Sequence, residues 1–224
     1  MYSIHTTPGF VIGSRPYGEA GKMLSIFTRD LGLVSVAAQG IRLEKSKLRY
    51  HTSDYSLGIF SLVRGKEVWR LTSAQQSVIP ASQSAAEAQA GIQDLLTRHG
   101  DILDSHFHGN DKLKNSRKIH AQLLVRMSTL LKRLLQGEDP HPELFDCLES
   151  TVGISGHMPA EKLPELESLT ALRILNLLGY IGDHEVTKPF VMSYDLSAEL
   201  LSTFSPIRVQ VNGIINASLQ ASQL

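Results

Sequence analysis

Two short runs of apolar and β-branched residues lie close together near the start of the chain, at residues 23–28 and 33–38. The connection between them, residues 29–32, is short, mostly polar and ends in a glycine. Apolar runs of this length on either side of a short turn are typical of a β-hairpin. We therefore predict two antiparallel strands in this stretch.

A second pair of apolar runs follows at residues 55–63 and 66–72, separated by a short turn with a glycine. Residues 4–12 alternate loosely between apolar and polar and contain a proline, which is typical of an edge strand. Five short strands are the number found in the OB-fold barrel, whose loops and one face bind single-stranded nucleic acid. The predicted fold class is α+β, with a five-stranded OB-fold β-barrel at residues 1–80 followed by an α-helical domain.

The apolar positions of residues 81–224 recur at three- and four-residue spacings, which is typical of amphipathic α-helices. The clearest helix opens at Arg117 and ends near Gly137. A shorter helix is predicted for residues 143–151, and the glycine- and proline-rich residues 152–164 are predicted to form a loop. This second part of the chain is therefore predicted to be a helical domain that binds partners.

A leucine-rich run at residues 166–178 has a proline shortly before it and Gly179 directly after it, which favour a helix start and a helix stop. The sequence loses its regularity beyond this helix. Residues 190–194 and 207–211 are predicted to be strands, and residues 214–219 a last helix after an Asn-Gly turn. The C-terminal part is thus expected to be irregular.

Charge is unevenly distributed along a chain whose formal net charge is zero. Residues 1–80 carry a net charge of +5 and residues 81–133 a net charge of +3, whereas residues 134–224 carry −8. A basic front and an acidic rear indicate that an anionic ligand meets the first part of the molecule. Pairing of opposite charges across the domain boundary is the alternative interpretation.

The densest basic stretch is the loop of residues 41–50, where four cations fall within eight residues and Glu44 is the only acid. Most runs of cations are solvated surface, but the position between two hairpins of a barrel favours contact with nucleic-acid phosphates, which cations neutralise without reading sequence. Tyr50 is the preferred stacking residue, whereas Phe60 and Trp69 are expected in the core. The predicted DNA-binding residues are Arg15, Lys22, Arg29, Arg42, Lys45, Lys47, Arg49, Tyr50, Arg64, Lys66 and Arg70.

A second group of cations lies along the predicted helix that opens at Arg117. These residues are either the hydrated side of an amphipathic helix or a second surface for an anionic partner. We assign them as candidate partner-binding residues: Arg117, Lys118, Arg126, Lys132 and Arg133.

Motifs for catalysis or metal binding are not recognisable in the sequence. No P-loop or nucleophile-elbow motif occurs, so an enzyme is not predicted, and no cofactor is expected. His106 and His108 stand two residues apart, a spacing that does not face one way on a helix, so they are predicted to be solvated. The single Cys147 excludes an internal disulfide framework and is expected in the core.

Several separate blocks of the chain resemble one protein family in order and spacing. The blocks are Arg15 to Glu19 (RPYGE), residues 24–33 (LSIFTRDLGL), residues 36–40 (VAAQG), Ser46, residues 63–72 (VRGKEVWRLT) and residues 172–180 (LRILNLLGY). They resemble the RecO family of bacterial mediators of DNA recombination and repair. Many members of that family carry a four-cysteine zinc module after the leucine-rich helix. With one cysteine this chain departs from that pattern, so no zinc is predicted.

The resemblance implies a non-enzymatic mediator that binds single-stranded and double-stranded DNA, anneals strands and helps to load recombinase onto DNA coated with single-strand-binding protein. Its implied partners are RecR and the C-terminal tail of single-strand-binding protein. The alternative is an OB-fold protein-interaction adaptor with weak or no DNA binding. Because no apolar run approaches the ~18 residues of a membrane helix and no secretory signal is present, the expected location is cytoplasmic and nucleoid-associated, with no membrane partner.

Overall fold

The computed structural model describes residues 3–76, 111–192 and 196–222, without the side chains of Lys47, Gln76 and residues 111–117. By their contacts the residues fall into two units, Met1–Pro80 with Ser128–Asp146 and Ala81–Met127 with Cys147–Leu224. The first therefore combines the predicted barrel with a short segment from much later in the chain. His106 and His108 lie outside the described residues.

Five strands in the first unit form a closed barrel in the order β1-β2-β3-β5-β4. All neighbouring pairs are antiparallel except β3 with β5, which is parallel. The strands are β1 (Ile4–Tyr17), β2 (Gly21–Thr28), β3 (Gly32–Ala38), β4 (Leu57–Arg64) and β5 (Trp69–Gln76). The predicted five-stranded barrel is confirmed.

Strand β1 is longer than the pattern of residues 4–12 predicted. It continues to Tyr17 and pairs with β4 from Ile4 to Phe10 and with β2 from Gly9 to Tyr17. A register shift between Val11 and Gly13 marks a bulge. Because a bulge increases local bending and twist, one strand can serve two neighbours and help to close the barrel.

Alternating residues of the strands fill the barrel, as the period of two requires. The core contains Leu24 and Ile26 of β2, and the predicted core residues Phe60 and Trp69 are confirmed there, with 0% and 5% exposure. Phe27 points to the outside of β2, where its ring lies 5.8 Å from that of Phe145. The outside of the barrel is thus also partly covered within the first unit.

The segment Ser128–Asp146 is attached to the barrel at the β2–β3 turn. The Leu33 N–H donates to the Gly137 carbonyl at 3.2 Å, and Gly32 lies directly against the backbone of Asp139. Arg29 donates to both carboxylate oxygens of Asp146, at 2.8 and 3.0 Å. The segment Ser128–Asp146 was predicted to be part of the helical domain, but by its contacts it belongs to the unit that contains the barrel.

The described part of the chain after residue 110 is helical. Its α-helices are α1 (Asp111–Leu134), α2 (Pro142–Ser155), α3 (Leu163–Leu177), α4 (Lys188–Val191), α5 (Ala198–Phe204) and α6 (Arg208–Ala221). Short 3₁₀ turns occur at Lys47–His51, Ala160–Lys162 and Ser205–Ile207. None of the helices in these described ranges is long and apolar enough to cross a membrane.

The leucine-rich helix agrees with prediction, and it forms the core of the second unit. Leu166, Leu169 and Leu172 are fully buried, and Gly179 follows the helix end with a φ of +76°. Cys147 is buried, as predicted, and burial raises the pKa of its thiol while the nearby Arg173 charge opposes that rise.

Near the C-terminus the predicted strand at residues 207–211 is wrong, and the one at residues 190–194 is wrong where it is described, because residues 193–194 lie outside the described residues. Residues 190–191 lie in helix α4 and residues 207–211 run through a 3₁₀ turn into α6, which also takes in the predicted Asn-Gly turn. Val211 and Ile215 are buried four residues apart on one helical face. Short apolar runs fit either period, and here packing against α3 selects the helix. The predicted loop at residues 152–164 likewise begins later, because α2 continues to Ser155.

Candidate nucleic-acid interface

The basic loop folds against the β1–β2 turn. The Arg42 N–H donates to the Ala20 carbonyl at 3.0 Å, and its Nη1 donates to the Glu19 carbonyl at 3.4 Å. These contacts create a cleft of about 240 Å³, here named the turn–loop cleft. It is lined by Lys22, Ile41, Arg42, Arg49 and Thr52. Three predicted DNA-binding residues are therefore brought together.

The outer surface of the same loop is both cationic and apolar. Lys45 is exposed, Leu43 is 57% exposed and Tyr50 is 75% exposed. Tyr50 lies in the 3₁₀ turn Lys47–His51, next to Arg49. Proteins that bind single-stranded nucleic acid combine exposed aromatic rings with cations. The bases stack on the rings, and the cations neutralise the phosphates. The Lys47 side chain is among those not described.

Two further cations lie on the strands that flank β2 and β3, Arg15 on β1 and Arg70 on β5. The strand register places Arg15 opposite Met23, Met23 opposite Ala37, and Ala37 opposite Arg70. Directly paired residues face the same side of a sheet, and three strand spacings separate the ends of this row by about 14 Å. Arg15 and Arg70 are both exposed. They therefore flank the β2–β3 face, whose own residues in this row, Met23 and Ala37, are buried with 7% and 4% exposure.

The β4–β5 turn carries a third group. Arg64, Lys66 and Arg70 line an open cleft of about 570 Å³, here named the hairpin cleft, together with Val63, Gly65, Glu67 and Val68. Arg70 belongs to both this cleft and the β2–β3 row. The hairpin cleft thus extends the cationic surface from the β2–β3 face to the β4–β5 turn.

Arg64 differs from the other cations because an acid already binds it. The Glu138 carboxylate pairs with the Arg64 guanidinium and accepts the Trp69 Nε1–H at 3.1 Å. The same guanidinium lies 5.0 Å from the centre of the Trp69 ring. With the Arg29–Asp146 pair, two of the predicted DNA-binding cations are held by acids of the segment Ser128–Asp146.

Sequence reasoning missed Glu138 and Asp146. Glu138 and Asp146 are 74 and 117 residues away from their arginines along the chain. In the sequence they look like ordinary charged residues of a protein surface. No local periodicity marks such a pair, because only the folded chain brings the two residues together. Arg29 and Arg64 consequently have a structural role, and their DNA-binding role stays a prediction.

The Glu138 contacts predict a specific pH dependence. The hydrogen bond from Arg64 lowers the pKa of Glu138 from its ordinary 4.5, partial burial opposes this, and the Trp69 N–H and the Arg64 charge lower it further. Because the folded pKa is lowered, the stabilisation is present above the unfolded pKa and is lost as pH falls through the folded pKa. We expect the emission of the single tryptophan, Trp69, to change with an acid midpoint below 4.5.

Two variants test this assignment. Glu138→Gln should remove the acid transition in tryptophan emission, because the titrating group is gone. Asp139→Asn removes the neighbouring carboxylate, whose side chain is 78% exposed, and should leave the transition unchanged. An unchanged transition in Glu138→Gln would show that another group controls it.

The candidate partner-binding residues are divided between the two units. Lys118 and Arg126 are exposed in the second unit, where Arg126 pairs with Glu167 at 3.0 Å. Lys132 and Arg133 are exposed in the first unit, and the Lys132 ammonium lies over Gly13 of β1. The Arg117 side chain lies outside the described set. Lys132 therefore adds a cation to the barrel surface near Arg15.

Seven cations remain on the described barrel without a carboxylate partner in the ranges that the structure covers. They are Arg15, Lys22, Arg42, Lys45, Arg49, Lys66 and Arg70. Cations without internal partners can neutralise phosphates without first losing an ion pair. Within the described residues, no group of three or more His, Cys, Asp or Glu side chains is placed to hold a metal ion.

Comparison with known proteins shows which family the barrel is similar to. Residues 1–77 match the family model described as "Recombination protein O N terminal". Proteins named DNA repair protein RecO from Rubrobacter xylanophilus and Alkaliphilus metalliredigens are 37% and 34% identical over 33% and 63% of this chain. The protein of the same name from Trichodesmium erythraeum is 23% identical over 97% of this chain and 77% of its own length.

The matches cover unequal shares of the relatives. The chain spans 29% of the Rubrobacter protein, 61% of the Alkaliphilus protein and 52% of a similar RecO protein from Heliobacterium modesticaldum. The barrel has the predicted number of strands, and the family model covers all five of them. The barrel is therefore similar to the N-terminal part of RecO proteins.

Proposed function

We propose that this protein acts in DNA repair by binding DNA through its barrel, without catalysing a reaction. The observation that carries the proposal is the set of seven cations on the barrel and its basic loop that have no carboxylate partner among the described residues. Exposed Tyr50, in the basic loop, and half-exposed Tyr17, at the end of β1, supply aromatic rings on which bases can stack. The names of the relatives support the DNA repair role.

The finer role follows the family. As a recombination mediator, the protein would anneal complementary strands and help to load recombinase onto DNA coated with single-strand-binding protein. The partners in this proposal are RecR and the C-terminal tail of single-strand-binding protein. The acidic tail suits a cationic surface, and exposed Lys118 and Arg133 are the candidate residues for it.

The test is fluorescence anisotropy of a labelled oligo-dT, titrated with the protein at several salt concentrations. We expect binding that weakens steeply with salt, because log affinity falls by about 0.7 per phosphate contact on a single strand for each tenfold rise in salt. Scrambled oligonucleotides of equal length should bind with similar affinity, since phosphate contacts carry no sequence information. Absence of binding at low salt would refute DNA binding by the barrel.

An adaptor that binds proteins but little DNA is the second candidate. The observation in its favour is that Arg29 and Arg64 already pair with Asp146 and Glu138, which reduces the positive charge available to DNA. Under this alternative, a peptide with the sequence of the single-strand-binding-protein tail would bind while oligo-dT would not. Measuring both ligands on one protein preparation separates the two functions.

A further inference from the structure

The turn–loop cleft differs from the rest of the cationic surface because its cations come from three separate parts of the chain. Lys22 lies at the start of β2, Arg42 follows β3, and Arg49 belongs to the 3₁₀ turn. Among the residues that the structure describes, no carboxylate lines the cleft. Three cationic residues therefore border one space without a counter-charge among the described lining residues.

The backbone around the cleft is fixed before any ligand binds. Ile41, at its base, is 2% exposed and packs into the barrel core together with Leu48 of the 3₁₀ turn. The Thr52 hydroxyl donates to the Leu48 carbonyl at 2.8 Å. Because the loop is anchored at both ends, little conformational entropy remains to be lost when an anion binds.

The volume and lining of the cleft select the kind of anion. At about 240 Å³ it is smaller than the roughly 300–1,000 Å³ of ordinary small-molecule pockets. The guanidinium groups of Arg42 and Arg49 are planar donors that match phosphate oxygens in pairs. The hairpin cleft, by contrast, is wider and includes Glu67. The lining thus suits one small, multiply hydrogen-bonded anion.

We propose that the turn–loop cleft is a binding site for a single phosphate group, which Lys22, Arg42 and Arg49 hold together. The inference rests on the proposed function only for the source of the phosphate, which is an internal phosphodiester or a terminal phosphate of DNA. If three side chains hold one phosphate of the DNA, the position of the DNA backbone along the barrel is fixed at that point. The other cations then contact phosphates on either side.

The sharing of one phosphate predicts non-additive effects. We expect Arg42→Gln and Arg49→Gln each to weaken oligo-dT binding severalfold. The double variant should lower the salt slope by about 0.7 in total, because only one phosphate contact is lost. The control pair Arg15→Gln and Arg70→Gln, about 14 Å apart, should be additive and lower the slope by about 1.4. A fully additive Arg42/Arg49 pair would overturn the single-phosphate site.

A measurement without DNA separates this inference from the proposed function. The arginine Nε–H signals in NMR spectra should shift for Arg42 and Arg49 with one shared midpoint as inorganic phosphate is added at low ionic strength. Arg15 and Arg70 should show no saturable shift. Saturable shifts in a protein that fails to bind oligo-dT would refute the DNA function and retain the phosphate site. Absence of saturation at Arg42 and Arg49 would overturn the site.

Oligonucleotides with and without a 5′-terminal phosphate identify the source. Equal weakening of both by Arg49→Gln supports an internal phosphodiester. Weakening confined to the phosphorylated oligonucleotide supports a strand end. If Arg49→Gln weakens neither, the phosphate site is overturned.

Discussion

Replacing Arg42, Lys45, Lys47 and Arg49 by alanine should reduce DNA affinity on the order of ten- to a hundredfold at moderate salt, about 1.4–2.8 kcal/mol. The four cations lie in one loop, and those whose side chains are described have no carboxylate partner in the covered ranges. Their removal should lower the salt slope by up to about 2.1 on single-stranded DNA, because Arg42 and Arg49 share one phosphate and at most three contacts are lost. Anisotropy of labelled oligo-dT across a salt series measures both quantities.

A control for net charge uses four cations of the second unit. This control variant removes the same formal charge from the second unit, outside the proposed DNA interface. It replaces four residues by alanine: Lys118, Lys162, Lys188 and Arg208. We expect this variant to keep most of the affinity and the wild-type slope, because only cations that contact phosphates contribute to the slope and these four belong to the second unit. If both variants lose the same DNA affinity, the loop acts only through its contribution to net charge.

Gly32→Ala should lower the free energy of unfolding by about 2–5 kcal/mol, combining a left-handed backbone with a steric clash. Gly32 has a φ of +71°, and a Cβ there would meet the backbone of Asp139, which cannot move aside as a flexible side chain does. The Leu33 to Gly137 hydrogen bond next to it would be strained as well. Denaturant unfolding followed by the fluorescence of Trp69 measures the change.

Gly18 supplies the matched control. Its φ of +63° is similar, but an added Cβ would meet nothing within 4 Å. Gly18→Ala should therefore cost only the backbone strain, about 1–2 kcal/mol. Equal costs at the two positions would show that Asp139 does not pack tightly against the β2–β3 turn.

Much of the barrel could be predicted because its cause is local. Alternation with a period of two in residues 23–28 and 33–38 places Leu24 and Ile26 on one side, and that side became the core. The helix that opens at Arg117 and the leucine-rich helix were predicted for the same reason, with a period of 3.6. The family resemblance rested on the same N-terminal blocks. The DNA-binding role of the named cations stays a prediction.

Local pattern failed where two periods fit the same residues or where partners are distant. Residues 207–211 are apolar at alternate positions, yet Val211 and Ile215 are buried together because α6 packs on α3. The sequence did not show which of the cations would form ion pairs with acidic residues of the same chain. Arg64 and Arg42 look equivalent in the sequence, but of the two only Arg64 pairs with Glu138 in the described residues.

The sequence by itself determined the five strands, the main helices and the basic character of residues 41–50, because hydrophobic period and charge are properties of neighbouring residues. The tertiary structure decided the parallel β3–β5 closure, the attachment of Ser128–Asp146 to the barrel and the convergence of Lys22, Arg42 and Arg49. Each of these joins residues far apart in the chain. Such contacts depend on how the whole core packs, which no short stretch of sequence specifies.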